Sequence, residues 1–277
     1  MNIRSILTIA RKDLSEALQN QSVVLPMIII PLVFIVIFPL IFILLPTLVP
    51  SAGNDLFTDP DMQGFFARMP AAISGLIAGL PADRAMALLM VGLLFAPFFL
   101  ILPLMFSTVI AAESFAGERE RKTIEALLYT PVSDAELFIG KVLAGMTPAV
   151  GITWVSFLVY ILVVNTATYF TMGWIGWFPL ANWYPLIFWV SPALSLLGIS
   201  FTVLISARNP TFLGAYQSSA MLVMLVLALL AGQLTGVLYL TTIVGLLIGL
   251  VVWLAAAALS YYAVRSFSRQ KLLAAAD

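Results

Sequence analysis

Residues 113–141 read ESFAGERERKTIEALLYTPVSDAELFIGK, a polar stretch that holds ten of the chain's charges and stands between two long apolar runs. Glu118 to Lys122 alternates in sign, and the residues after it place Ile124, Leu127 and Leu128 at helical spacing, which predicts a short amphipathic helix. Thr130-Pro131 ends that helix, because the residue before a proline is pushed out of the α region. Ser133 stands three residues before Glu136, the S-x-x-E spacing of a capping box, so a second helix starts there and runs through Leu137 and Ile139 into the next apolar run. Such a connector presents an apolar face of Ile124, Leu127 and Leu128 amid Glu118, Arg119, Glu120, Arg121, Lys122 and Glu125. Glu113 and Lys141, at its two ends, read as membrane-edge charges.

The composition around the connector sets the class. With 277 residues, 62% apolar and 9% charged, and a mean hydropathy of +1.09, the chain is a polytopic membrane protein and not a soluble domain. Net charge is zero, so no basic field points to nucleic acid. The absence of Cys and His removes disulfides, thiol nucleophiles, the usual zinc sites and histidine-dependent intramembrane proteolysis. The first apolar run is too long for a cleavable signal and lacks a small-residue cleavage site after it.

Upstream, residues 2–20 form an amphipathic helix. At about 100° per residue, Ile3, Ile6, Leu7, Ala10, Leu14, Ala17 and Leu18 share roughly a third of the circumference, with Arg4, Arg11, Lys12, Ser15 and Glu16 on the rest and Ile9 the exception. Such a helix lies in the membrane interface. The first span is expected at 23–45, kinked by Pro26, Pro31 and Pro39, and the second at 85–112. Between them, 46–84 is an outer loop whose piece Ala71 to Leu80 is too short to cross and lies on the surface or re-enters; its aspartates depart from the calcium-loop pattern.

Downstream, further spans are expected at 142–164, 183–206, 212–231 and 237–264, with an aromatic-rich outer loop at 165–182 and a joint at 231–237 that allows a re-entrant break. Gly245-x-x-x-Gly249 permits close helix approach within the subunit. The fold class is therefore an all-α polytopic membrane protein, residues 1–277 forming one domain of six transmembrane helices. Eleven of thirteen basic residues fall on the side of the N-terminus, the connector, the Arg208 turn and the tail, and only Arg68 and Arg84 lie opposite, so both termini are expected in the cytoplasm.

No motor is encoded. Gly140-Lys141 comes nearest to a phosphate loop, but Ala135 stands where its first glycine belongs and Val142 where Ser or Thr belongs. None of the six apolar cores holds Asp, Glu, Lys, Arg or His, which argues against an ion-coupled carrier. Thr153, Ser156, Thr202, Gln217 and Ser218, with Ser200 and Ser219, are the polar candidates for a pathway, most of them expected to bond to helix backbones. An uncharged lining favours an apolar or amphipathic cargo over an ion.

The order E-S-x-A-G-E-R-E-R-K-T-I-E-A-L-L-x-T-P-V-S-x-x-E-L-x-x-G-K resembles the cytoplasmic loop of type-2 ABC transporter permeases, closest to the subgroup that includes sodium-export permeases. The likeness is long and specific over 113–141 and elsewhere rests on the pattern of spans. It implies that the connector carries a coupling helix seated in a cleft of a separate ABC ATP-binding subunit, with Glu118 to Lys122, Ile124, Glu125, Leu127 and Leu128 as the contact and Glu113, Ser133, Glu136 and Lys141 as its ends and cap. It further implies ATP and Mg held by that partner and no cofactor on this chain, which is then not an enzyme by itself. The functional unit would pair two six-span halves, a second copy or a related permease half, in a prokaryotic plasma membrane. The N-terminal helix, the interfacial helix that carries Arg4, Arg11 and Lys12, would be a connecting helix that also leans on the ATPase. The subgroup points to sodium as cargo and the uncharged spans to an amphipathic molecule. The alternative is an ion-coupled carrier or channel without an ATPase, and an intramembrane glutamate enzyme is a more distant one.

Overall fold

The computed structural model describes residues 2–49, 59–121, 123, 132–209 and 211–266, and every regular element among them is helical. Six of the helices are long and apolar enough to cross a membrane. Helix α1, Ile3–Gln19, is separated by Asn20 alone from α2, which comprises Gln21–Leu32, a π turn at Val33–Ile37 and Phe38–Leu48. The wide turn has a local cause: Pro39 cannot donate to the carbonyl four residues back, and the backbone opens just before it. Two short helices follow, α3 at Pro60–Ala67 and α4 at Ala71–Ile77. The remaining spans are α5, Ala82–Glu120; α6, Asp134–Met172; α7, Trp183–Ser206; α8, Phe212–Leu234; and α9, Thr242–Ser266.

Several boundaries differ from the apolar runs. Helix α5 does not stop at Ala112 but continues through a π turn, Glu113–Gly117, to Glu120, so the alternating charges begin on the span itself. Helix α6 starts at Asp134, eight residues before the apolar run, and ends past Val164 at Met172. Gly173 stops it at φ 63°, with the Trp174 N–H returning to the Thr168 carbonyl, the left-handed terminus that glycine adopts without strain. Helix α9 starts at Thr242 and not at 237, after a joint where Gly236 takes φ 71°.

Burial divides the spans into centre and rim. In the most apolar stretch of each helix, 83% of α5 and 72% of α7 is buried, against 17% of α2 and of α8. The core between α5, α6 and α7 is aromatic. Trp183 lies 5.0–5.7 Å from the rings of Phe99, Phe157, Tyr160 and Phe178, offset and edge-on contacts of the kind that aromatic quadrupoles favour. Glycine sets the closest approaches. A Cβ on Gly198 of α7 would stand 2.7 Å from Ser107 Oγ of α5, and one on Gly249 of α9 would stand 2.1 Å from Trp189 Cδ1 of α7. Gly245 meets Pro185 in the same seam, so this pair packs inside the subunit.

A second π turn, Leu88–Leu94, is pinned from three sides. The carbonyls of Val91, Gly92 and Leu93 accept hydrogen bonds from Tyr160 Oη of α6 at 3.0 Å, Trp183 Nε1 of α7 at 2.7 Å and Gln233 Nε2 of α8 at 2.9 Å. A π turn disturbs the regular carbonyl ladder, and inside a bilayer only protein groups can satisfy what it frees. Next to it, Met69 and Ile73 pack on Leu88, Leu89, Leu93, Leu94 and Tyr239, so α4 covers the end of the bundle farthest from the connector.

Candidate functional site

The π turn at the other end of α5 meets ions instead. Lys141, near the start of α6, is 1% exposed and its Nζ reaches the Ser114 carbonyl at 2.8 Å, Ser114 Oγ at 3.1 Å, Asp13 Oδ2 at 2.8 Å and Glu118 Oε2 at 2.7 Å. Ser114 Oγ donates to the same Asp13 oxygen. Lys12 closes the group from its half-exposed side, with Glu118 Oε1 at 2.8 Å, Glu16 Oε2 at 3.3 Å and Asp13 Oδ1 at 3.4 Å. Two ammonium groups thus balance two buried carboxylates, Asp13 and Glu118. Balance is what makes burial tolerable, since a lone charge there would carry several kcal/mol of desolvation.

The four residues 118–121 each hold a different part of the molecule. Glu118 binds Lys12 of α1 and Lys141 of α6. Arg119 donates to the Ser206 carbonyl at 2.9 Å, the C-terminus of α7. Glu120 accepts the Phe212 N–H at 2.8 Å, the N-terminus of α8. Both signs suit the helix dipole, a cation at the carbonyl end and an anion at the amide end. Arg121 turns back to Glu113 Oε1 at 2.8 Å. Gly117 makes room for that pair, because a Cβ there would stand 3.1 Å from Glu113 Oε2.

The electrostatics follow from these contacts. Burial alone would lower the Lys12 ammonium, yet its hydrogen bond to Glu118 and the charges of Glu118, Asp13 and Glu16 outweigh it and hold Lys12 above the ordinary lysine value. The hydrogen bond to Glu113 likewise raises Arg121. Oxygens of Asp13, Glu16 and Glu118 lie within 4.8 Å of one another, a spacing a metal could use, but Lys12 and Lys141 already serve these carboxylates.

Helix α1 is positioned by glycine and a cap. Gly140 lets it sit directly on α6, since a Cβ there would stand 2.9 Å from Ile9 Cβ. The near-miss to a phosphate loop at Gly140-Lys141 is therefore a packing seat and an ion-pair donor. Ser133 Oγ accepts the Glu136 N–H at 3.3 Å while Glu136 Oε2 accepts the Ser133 N–H at 3.0 Å, a full capping box, and Glu136 Oε1 takes the Asn2 N–H at 2.5 Å.

Two readings from sequence need correction. Glu113 and Lys141 are not membrane-edge charges: they are 4% and 1% exposed and paired inside the protein. In α1, the buried side is Ile6, Ile9, Asp13 and Ala17, while Ile3, Leu7 and Leu18 are exposed, so Ile9 is no exception but part of the packed face. Asp13 carries only a faint signal in the sequence: an acid in register with Ile6 and Ile9.

Of the expected connector contact, Glu118, Arg119, Glu120 and Arg121 gather here, while Lys122, Ile124, Glu125, Leu127 and Leu128 lie outside the described residues. Arg4 and Arg11 are exposed. The five pathway residues do not converge, and no hydrogen bond joins any two of them. Thr153 donates to the Ala149 carbonyl and Thr202 to the Gly198 carbonyl. Ser156 is buried, Gln217 is exposed, and Ser218 Oγ accepts from Asn209. An entirely apolar cavity of about 480 Å³ lies instead among α7, α8 and α9, walled by Leu194, Val226, Leu229, Val244, Ile248 and Val252 among others.

The charged cluster, the connector and the first five spans fall within one family description, ABC-2 family transporter protein, which matches residues 7–242. The chain belongs to the ABC-2 transporter family. No curated protein and no solved structure matches it. Membership makes the chain a transmembrane permease subunit of an ABC transporter and implies pairing with an ABC ATP-binding subunit. In this ABC-2 permease, Glu118, Arg119 and Glu120 tie α1, α6, α7 and α8 to the end of α5, within the first part of the connector.

Proposed function

We propose that this permease is the membrane half of an ATP-driven exporter, in which the connector receives the movement of a separate ATP-binding subunit and residues 118–121 pass it to the spans. The observation that carries this reading is that three successive residues reach four helices: any displacement of the end of α5 acts at once on α1 and α6 through Glu118, on α7 through Arg119 and on α8 through Glu120. ATP and Mg belong to the partner, and this chain binds no cofactor of its own. The unit holds two copies of the permease in a prokaryotic plasma membrane, with both termini and the connector in the cytoplasm, as the distribution of basic residues supports.

For the cargo we favour a small amphipathic molecule over sodium, the ion suggested by the subgroup likeness. The apolar cavity among α7, α8 and α9 and the self-satisfied hydroxyls of Thr153 and Thr202 support it, because an ion stripped of water needs fixed polar partners. Sodium-dependent stimulation of the reconstituted complex, with none by lipophilic compounds, would reverse that choice.

The test of the coupling role is Leu127→Asp, since truncating or charging a central apolar anchor disrupts an interface more than deleting rim charges. The variant should insert normally, lose copurification with the ATPase and lose transport. Normal copurification with normal export would place the contact elsewhere.

A further inference from the structure

Helix α1 presents three distinct sides in turn. Ile6, Ile9, Asp13 and Ala17 are packed on the protein. Next around the helix come Ile3, Leu7 and Leu18, which are 69%, 58% and 51% exposed. Next again, at about 100° per residue, come Arg4 and Arg11, both exposed. Among the described residues neither guanidinium has an ion-pair partner, whereas Lys12 on the following side is engaged by Glu118 and Glu16. Three exposed aliphatic side chains bordered by two free arginines form a surface suited to a plane that is apolar below and anionic above.

The chain path places this surface at the bilayer. Leu18 is five residues before Val23, the first residue of a membrane span, and only Asn20 separates the two helices. At the other end, Asn2 is bonded to Glu136 in the first turn of α6, so both ends of α1 are tied to helices that continue into spans.

From this charge pattern and continuity we propose that α1 is a docking surface for anionic phospholipid: Ile3, Leu7 and Leu18 enter the acyl boundary and Arg4 and Arg11 bind the phosphate-bearing headgroups. Aliphatic burial and cationic attraction are the two contributions that hold interfacial helices to anionic membranes. The inference also deepens the coupling proposal, on which its second half rests. Asp13 on the packed side of α1 and Lys12 on the side beyond the arginines are ion-paired to Lys141 and Glu118, so occupancy of the lipid surface bears on the element that connects the ATPase to the spans.

The lipid surface is tested without the ATPase. The full-length permease is reconstituted in nanodiscs of phosphatidylcholine and phosphatidylglycerol, and the retained lipids are measured by native mass spectrometry after gentle extraction. The wild type should retain phosphatidylglycerol selectively. Arg4→Gln with Arg11→Gln should reduce that selectivity by on the order of tenfold, the effect of two surface cations. Leu7→Ser should reduce retention of both lipids without changing their ratio. Unchanged selectivity in the double arginine variant overturns the proposal. So does a double variant that keeps its lipids but no longer copurifies with the ATPase, which would make the surface a protein contact. The regulatory half is read from the complete complex: ATPase stimulation should rise with phosphatidylglycerol in the wild type and lose that dependence in the double variant while the basal rate is kept. A lipid-selective surface with lipid-independent ATPase overturns only this second half. Failure of Leu127→Asp to uncouple would instead count against the coupling role.

Discussion

The two π turns of α5 are built alike and bonded differently. At Leu88–Leu94, three successive carbonyls accept from the neutral donors Tyr160, Trp183 and Gln233, each on its own helix. At Glu113–Gly117, the Ser114 carbonyl accepts from Lys141, which also serves two carboxylates. Aromatic and amide donors are fixed by packing and have one partner each. Ammonium groups share several partners, and Lys12 keeps part of its surface open to solvent. One end of α5 is therefore welded to its neighbours and the other is jointed to them, and the joint is the end that meets the connector.

Removing a partner from the joint should produce the largest effect. Lys141→Met leaves Asp13 and Glu118 with only Lys12 between them, and stranding a buried charge typically destabilises by about 3–5 kcal/mol. Thermal unfolding in detergent should show this as a large drop, partly restored when Asp13→Asn is added. A variant as stable as the wild type would mean that the pair is solvated and not buried. The weld should be affected less: Trp183→Phe deletes the bond to the Gly92 carbonyl, worth about 1–2 kcal/mol at most for an interhelical hydrogen bond in a membrane. It should lower the melting point while leaving ATP consumed per cargo exported unchanged, and a changed ratio would erase the distinction between the two ends. The smallest change in stability is expected for Glu120→Gln with Arg119→Gln, whose bonds lie at the surface and at helix ends, within about 1 kcal/mol. These two should still raise the ATP consumed per cargo exported. A normal ratio would show that α7 and α8 are not driven through this turn.

What could be read from sequence was what is local. Ser133 and Glu136 declare a helix start because the capping box closes over three residues, and the six spans declare themselves by length and apolarity. The charged cluster could not be read that way. Asp13, Ser114 and Lys141 are more than a hundred positions apart at the extremes, and each looks ordinary beside its own neighbours. The apolar side of α1 was legible but its division was not, because Ile6 facing protein and Leu7 facing outward have the same hydropathy. The π turn at Leu88–Leu94 leaves no compositional trace, since one added residue in a continuous apolar run changes which carbonyls are free without changing the run. Gly249 was legible as a site of close approach, but Trp189 as the neighbour it accommodates was not.

Asn20 is the single non-helical residue between α1 and α2, with φ −82° and ψ 111°. The surface helix and the first span therefore work as two rods on one pin, and a few degrees of torsion at one residue suffice to swing one against the other. Only 17% of the apolar stretch of α2 is enclosed by the rest of the chain, so little packing has to be broken for that swing. Under the proposed coupling, a push that reaches Asp13 through Lys141 would become a sideways sweep of the first span, as a latch moved at the frame releases a door along its whole height.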